Sequence, residues 1–123
     1  MLEHLCTPEN LIEVREEIID RNQDTIGEIL IGTGYGVFRG QSEVEYISQA
    51  AAKFNYVGTL VFYAVNRDAE LTIGDKTYKP SHMYPKEGDI CVCRGVRYSI
   101  TGSEFRTDIH GDLVGFTVRC SNA

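Results

Sequence analysis

The sequence predicts a mainly β fold, a barrel or sandwich led by one α-helix. Three observations predict it. From about residue 26 onward, segments rich in Val, Ile, Tyr, Phe and Thr alternate with Gly- and Asp-containing turns. These segments are short and regularly spaced, as in sandwiches and barrels. Ahead of them, residues 7–22 carry apolar side chains at helical spacing. With 123 residues, the chain is expected to form a single domain, 1–123. That length buries a core without help from disulfides or a structural metal.

The elements follow in order. Thr7-Pro8 opens the expected helix, since Thr caps free amides and Pro fits a first turn. Leu11, Val14 and Ile18 form its apolar stripe, with Ile12 and Ile19 beside it. The β-body then spans 26–120. Strands are expected near 26–38, 43–49, 55–65, 69–73, 76–79, 89–93, 96–100, 104–109 and 113–119. Asn66-Arg67-Asp68, Gly74-Asp75 and Gly111-Asp112 read as hairpin turns. Residues 79–88 hold Pro80 and Pro85, so they form a loop rather than a central strand. That loop is a plain surface connection or a lid or subunit contact.

Charge and composition exclude several classes. The net charge is −6, whereas a nucleic-acid binder needs a basic stripe. No apolar run approaches the ~18 residues of a membrane-spanning helix. No basic segment followed by an apolar stretch marks a secretory signal, so the cytoplasm is the expected compartment. Residues 1–28 hold eight acids and two bases and so carry the whole net charge, which suggests a solvated acidic helix on a neutral body.

The chemistry-bearing residues are sparse. Cys6, Cys91, Cys93 and Cys120 contain no Cys-x-x-Cys pair, which removes zinc-ribbon and thioredoxin-like readings. Cys91 and Cys93 alternate along a strand and share one face, as small buried hydrophobes would. Gly32, Gly34 and Gly36 lie in a strand that continues through Phe38, so they lack the strand-to-helix setting of a phosphate loop. They fit the bulges or close packing of a barrel. His4, His82 and His110 are scattered, and no Ser-His-Asp or Cys-His set follows from them. Asp108, His110 and Asp112 alternate, but Gly111-Asp112 turns the chain there. Glu43 and Glu45 read as an exposed strand face.

Two segments carry a resemblance. Tyr63 to Tyr78 (YAVNRDAELTIGDKTY) and Gly88 to Tyr98 (GDICVCRGVRY) resemble, in order and spacing, the two motifs of the cupin family. The resemblance covers about a third of the chain. It implies a double-stranded β-helix, or jelly-roll, barrel of two antiparallel sheets, commonly a homodimer, with the ligand between the sheets. Metal-binding cupins place His-x-His and a carboxylate in the first motif and a His in the second. Here those places fall on Lys53-Phe54-Asn55-Tyr56, near Leu60, and on Arg97 or Tyr98. A first-row metal needs about three converging ligands, so no metal and no cofactor are expected.

The resemblance also proposes a lining. It turns Leu60, Phe62 and Ala64 inward, leaving Val61, Tyr63 and Val65 outside. Tyr56, Phe62, Arg97, Tyr98 and Arg106 are the expected ligand-binding residues, the aromatics stacking on a planar body and an Arg meeting an anionic group. Three functions stay open. One is a metal-free barrel that senses, stores or sequesters a small organic molecule. A second is a metal-independent epimerase, isomerase or cyclase, with Tyr98 and His110 as its catalytic acid–base pair. The third is an interaction module. A small-molecule ligand and a second copy of the chain are the expected partners, with neither nucleic acid nor membrane among them.

Overall fold

Ile12, Val14 and Ile18 point into a β-barrel from a strand, β1 (Leu11–Ile19), in a computed structural model of the chain. The model describes residues 8–48 and 51–122, with side chains described there except at 40–54 and 122. The helix expected over 7–22 is therefore replaced by a 3-10 turn, Pro8–Asn10, and a strand. Apolar residues at 12, 14 and 18 satisfy both a helical stripe and a strand's alternation. Tertiary pairing decides between them, because this strand pairs with residues 25–35 along one edge and with residues 90–93 along the other. Its Ile and Val side chains also suit a pleated surface better than a helix. His4 and Cys6 lie outside the described residues.

The remaining strands are β2 (Thr25–Ser48), β3 (Ala51–Val65), β4 (Leu71–Ile73), β5 (Lys76–Tyr78), β6 (Ile90–Cys93), β7 (Val96–Thr107) and β8 (Leu113–Asn122). Six of them close an antiparallel barrel in the order β1-β2-β3-β8-β7-β6, and β4-β5 is a separate hairpin. The expected strands 26–38 and 43–49 are one long strand with a register shift between Gly40 and Val44. Those at 96–100 and 104–109 are likewise one, shifted between Ile100 and Gly102. Bulges let long strands bend round a narrow barrel without ending.

The connectivity differs from the jelly-roll that the resemblance implied. β1-β2-β3 is a meander, β6-β7-β8 is a second, and the halves join as β3 against β8 and β1 against β6. A jelly-roll instead rolls up one long hairpin, which sets the first strand beside the last. The turn at 66–68 is not a hairpin either. Asn66 ties it to β2, donating from its backbone to Ile31 O at 2.9 Å and from Nδ2 to Leu30 O at 2.9 Å.

Two hairpins show how the turns are made. Asp20 Oδ1 accepts from the backbone N–H groups of Asn22 (2.8 Å) and Asp24 (2.9 Å). Asp108 Oδ1 does the same for His110 (2.8 Å) and Asp112 (3.0 Å). In each case an Asp side chain stands in for a turn carbonyl.

The interior is filled. Ile12, Val14, Ile29, Ile31, Leu60, Cys91, Ile100, Phe116, Val118 and Cys120 are all fully buried. Side chains fill so narrow a barrel. Cys91 and Cys93 do share the inner face, and burial pushes the Cys91 thiol well above its ordinary range and Cys120 up to about 12. These thiols act as hydrophobes rather than nucleophiles. Of the acids that suggested a solvated helix, Glu13, Glu16, Glu17 and Glu28 lie on β1 and β2 and are partnered. Asp20 and Asp24 lie in the turn between those strands, Glu9 lies in the 3-10 turn, and Glu3 lies outside the described residues. Arg15 pairs with Glu13 and Glu28, Arg97 with Glu28, and Thr25 donates to Glu17.

Candidate functional site

β3 and β8 pair from Asn55↔Ser121 to Leu60↔Phe116 and then part. Each strand is bulged just past that last pair. Between Tyr35↔Val61 and Thr33↔Ala64, two residues of β3, Phe62 and Tyr63, face one of β2. Phe62 takes a left-handed φ of 53° to make the step. On β8, Val114 is the extra residue between Arg106↔Gly115 and Thr107↔Leu113. Bulges end pairing and re-aim side chains. Here they open a cleft of about 740 Å³ at one end of the barrel.

One wall of the cleft is Phe62, Tyr63, Ala64 and Val65, and the facing wall is Leu113 to Phe116. Tyr84 and Arg67 complete it. The lining thus holds one cation and no acid. Aromatic rings form its floor and rim, with Tyr63–Phe116 at 5.5 Å, Tyr84–Phe116 at 5.8 Å and Phe105–Phe116 at 5.2 Å between centroids. Gly32 makes room for the Tyr63 ring, since a Cβ there would overlap its hydroxyl.

The proline loop, 79–88, holds Tyr84 in place. Tyr63 Oη donates to Met83 O at 2.7 Å, and Ser103 Oγ to Pro85 O at 2.6 Å. At its start, Ser81 donates to Glu16 from both its N–H (2.9 Å) and its hydroxyl (2.7 Å). His82 then sits between two carboxylates, Nδ1 at 3.0 Å from Glu16 Oε1 and Nε2 at 2.6 Å from Asp89 Oδ2. Asp89 Oδ2 also accepts from Lys86 N at 3.0 Å. Burial pushes the Asp89 carboxyl above its ordinary range, and His82 and the Lys86 amide pull it back. Burial likewise raises the Tyr63 hydroxyl, so it remains a neutral donor.

This cluster clasps the loop to β1. Ser81 Oγ lies 2.7 Å from Glu16 Oε1 and 2.9 Å from His82 Nδ1, and the other ring nitrogen faces Asp89. A serine, an imidazole and a carboxylate are thus in hydrogen-bond contact, with Glu16 competing for the hydroxyl proton, and the set lies outside the lining of the cleft. Among the described residues, no group of three His, Cys, Asp or Glu is placed to hold a metal ion.

The residues expected from the sequence are dispersed. Phe62 lines the cleft, but it is 55% exposed on the outer side, because the bulge reverses the strand's phase after Leu60. Val61 is consequently buried beside Leu60, and Tyr63 turns to the core. Tyr56 and Tyr98 pack on each other at 5.0 Å, and Tyr98 on Phe38 at 5.0 Å, away from the cleft lining. Arg97 points outward to Glu28, as alternation with the half-buried Tyr98 requires. Arg106 pairs through its backbone with Gly115, but its guanidinium donates to Thr59 Oγ1 at 3.1 Å. His110 lies in the exposed 108–112 turn, beyond the far end of β7 from Tyr98. Nine strand residues separate Tyr98 from that end, a span of roughly 25–30 Å. The Tyr98–His110 acid–base pair is therefore not assembled. Lys53, Glu43 and Glu45 have side chains outside the described set.

Tyr63, Arg67, Tyr84 and 113–116 were not expected as a site. The nearest sequence signal is the proline loop, which holds Tyr84 and whose sequence is open to a surface connection, a lid or a subunit contact. No protein-family model, curated protein or solved structure matches the chain.

Proposed function

We propose that this barrel binds an organic molecule with an apolar, ring-bearing body and one anionic group, held in the end cleft rather than in the packed interior. The lining of the cleft carries this reading. It combines aromatic and aliphatic walls with Arg67 and no acid. Such a surface gains by covering apolar area and attracts a negative group at one place only. Phe62, Tyr84, Leu113 and Val114 are exposed there, and Phe105 beside them is 65% exposed. That concentration of large apolar side chains marks a site of contact. The cupin reading rests on the two motifs alone, and the meander order of the strands gives it no support.

The test is a dye titration. Anilinonaphthalene sulfonate has the apolar rings and single anion that the cleft suits, and the chain has no Trp to interfere. The dye is expected to bind the folded protein at one site per chain. Val114→Asp, at an exposed position of the lining, should abolish binding with the circular dichroism unchanged. Arg67→Ala should weaken it several-fold. Dye binding that survives both substitutions overturns the reading.

A further inference from the structure

The two walls of the cleft are strand edges as well as side-chain surfaces. Past Leu60↔Phe116, residues 61–65 of β3 keep β2 on one side and, among the described residues, have no strand on the other. Residues 113–115 of β8 likewise pair only with β7 among the described residues. Any occupant of the cleft covers some of these backbone groups. An occupant that offers them no hydrogen bonds leaves them dry and unpaired, which is unfavourable. An extended peptide satisfies them by adding a strand, and its alternate side chains meet the aromatic rings.

We infer that the occupant is a short extended peptide, apolar in sequence, which pairs with the free edge of β3 and sets a C-terminal carboxylate at Arg67. The inference rests on the cleft's being a binding site and narrows its ligand. Phe62, Tyr63, Ala64 and Val65 are consecutive along the lining, so the edge and the apolar wall run together. Arg67 follows two residues past the end of β3, and it has no acidic partner among the described residues. An arginine at the end of a strand-lined slot matches a chain terminus in both geometry and charge.

The experiment uses the full chain and the peptide acetyl-valyl-phenylalanyl-valyl-leucine in three forms. They are the free acid, the C-terminal amide, and the free acid N-methylated at alternate backbone nitrogens. Binding is read by isothermal titration and by displacement of anilinonaphthalene sulfonate. The free acid should bind and displace the dye. N-methylation, which removes only backbone donors on one edge, should weaken it about tenfold or more when the methylated edge faces β3. Both alternations of methyl groups are therefore tested, and only one should be impaired. The amide should bind several-fold more weakly, a difference that Arg67→Ala abolishes. A dye that binds while no peptide displaces it overturns the peptide and leaves the cleft reading standing. Equal binding by all forms overturns strand pairing. Failure of dye and peptide alike overturns both readings. A concentration-dependent dimer that excludes the dye puts a second copy in the cleft and also overturns the peptide.

Discussion

Leu60 and Phe116 form the last pair that joins β3 to β8, and both are fully buried at the point where the two strands separate. Both belong to the core, and Phe116 also floors the cleft. Phe116 is the hub, since Tyr63, Tyr84 and Phe105 all pack on its ring. Phe116→Ala should therefore remove core packing and the base of the site together. The expected cost is about 3–5 kcal/mol, as for other buried Phe truncations. Urea unfolding followed by circular dichroism measures it. A loss under about 1 kcal/mol would show that the seam collapses readily and that Phe116 is no hub.

Phe62 separates stability from binding. Its φ of 53° is a left-handed conformation, and its side chain is 55% exposed. A bulky residue there costs about 1–2 kcal/mol of backbone strain, of which glycine is free. Phe62→Gly should hold or raise the unfolding midpoint while it weakens dye binding in the cleft. Destabilisation would mean that the exposed ring supports the bulge, and undiminished binding would remove Phe62 from the site.

The barrel was legible in the sequence, and its first strand and its site were not. Turn residues and alternating apolar segments located the strands of the β-body. At β1, residues 12, 14 and 18 fit either period, and only pairing with β2 and β6 made the segment a strand. The cleft depends on two single-residue bulges, at Phe62 and Val114, and no composition signal marks them. One added residue reverses every later side chain. For that reason Phe62, expected inside, lies outside, and Tyr63, expected outside, packs against the core. The second motif singles out Arg97 and Tyr98, and acid–base chemistry alone pairs Tyr98 with His110, yet strand alternation and the length of β7 keep them apart.

Glu28 gives the acid side of the stability profile. It lies between Arg97 and Arg15, with its side chain only 19% exposed. The Arg97 guanidinium, with Arg15 assisting, holds its carboxyl below the ordinary value of 4.5 against the opposing effect of burial. A carboxyl lowered in the fold stabilises above its unfolded value and loses that contribution as pH falls through the folded one. Glu28→Gln should cost about 0.5–1 kcal/mol at pH near 7, the modest figure reflecting the exposure of Arg97. The difference from the parent should shrink below pH ~4.5 and in high salt. A penalty constant across pH would show that the carboxylate charge is not what holds the pair. Arg97→Ala should be similarly mild and, because Arg97 is remote from the cleft lining, should leave dye binding unchanged.

His82 gives the opposite sign. It is the only basic side chain that contacts Glu16 or Asp89 among the described residues, and it helps fasten the loop that carries Tyr84. The Asp89 carboxyl already lies above its ordinary 3.8, chiefly through burial, with Glu16 adding to the rise and His82 opposing it. His82→Ala removes that opposition and takes away the imidazole that lies between the Glu16 and Asp89 carboxylates. Asp89 should then rise further. A carboxyl raised in the fold binds its proton more tightly than in the unfolded chain, so stability increases as pH falls through the folded value. The penalty of His82→Ala should accordingly be largest near pH 7, about 1–3 kcal/mol, and shrink towards pH 4. His82→Ala combined with Asp89→Asn should recover much of the neutral-pH loss, because the second change removes the unpaired buried charge. Thermal unfolding of the parent and both variants across that pH range decides it. A penalty that does not change with pH, together with no recovery in the double variant, would show that His82 serves by packing alone. The same variants read the clasp's effect on the cleft. Without the imidazole, the loop is held by the Ser81–Glu16, Lys86–Asp89, Tyr63–Met83 and Ser103–Pro85 hydrogen bonds and loses the link that His82 makes between Glu16 and Asp89. Dye affinity should then fall in His82→Ala at neutral pH even where the barrel stays folded.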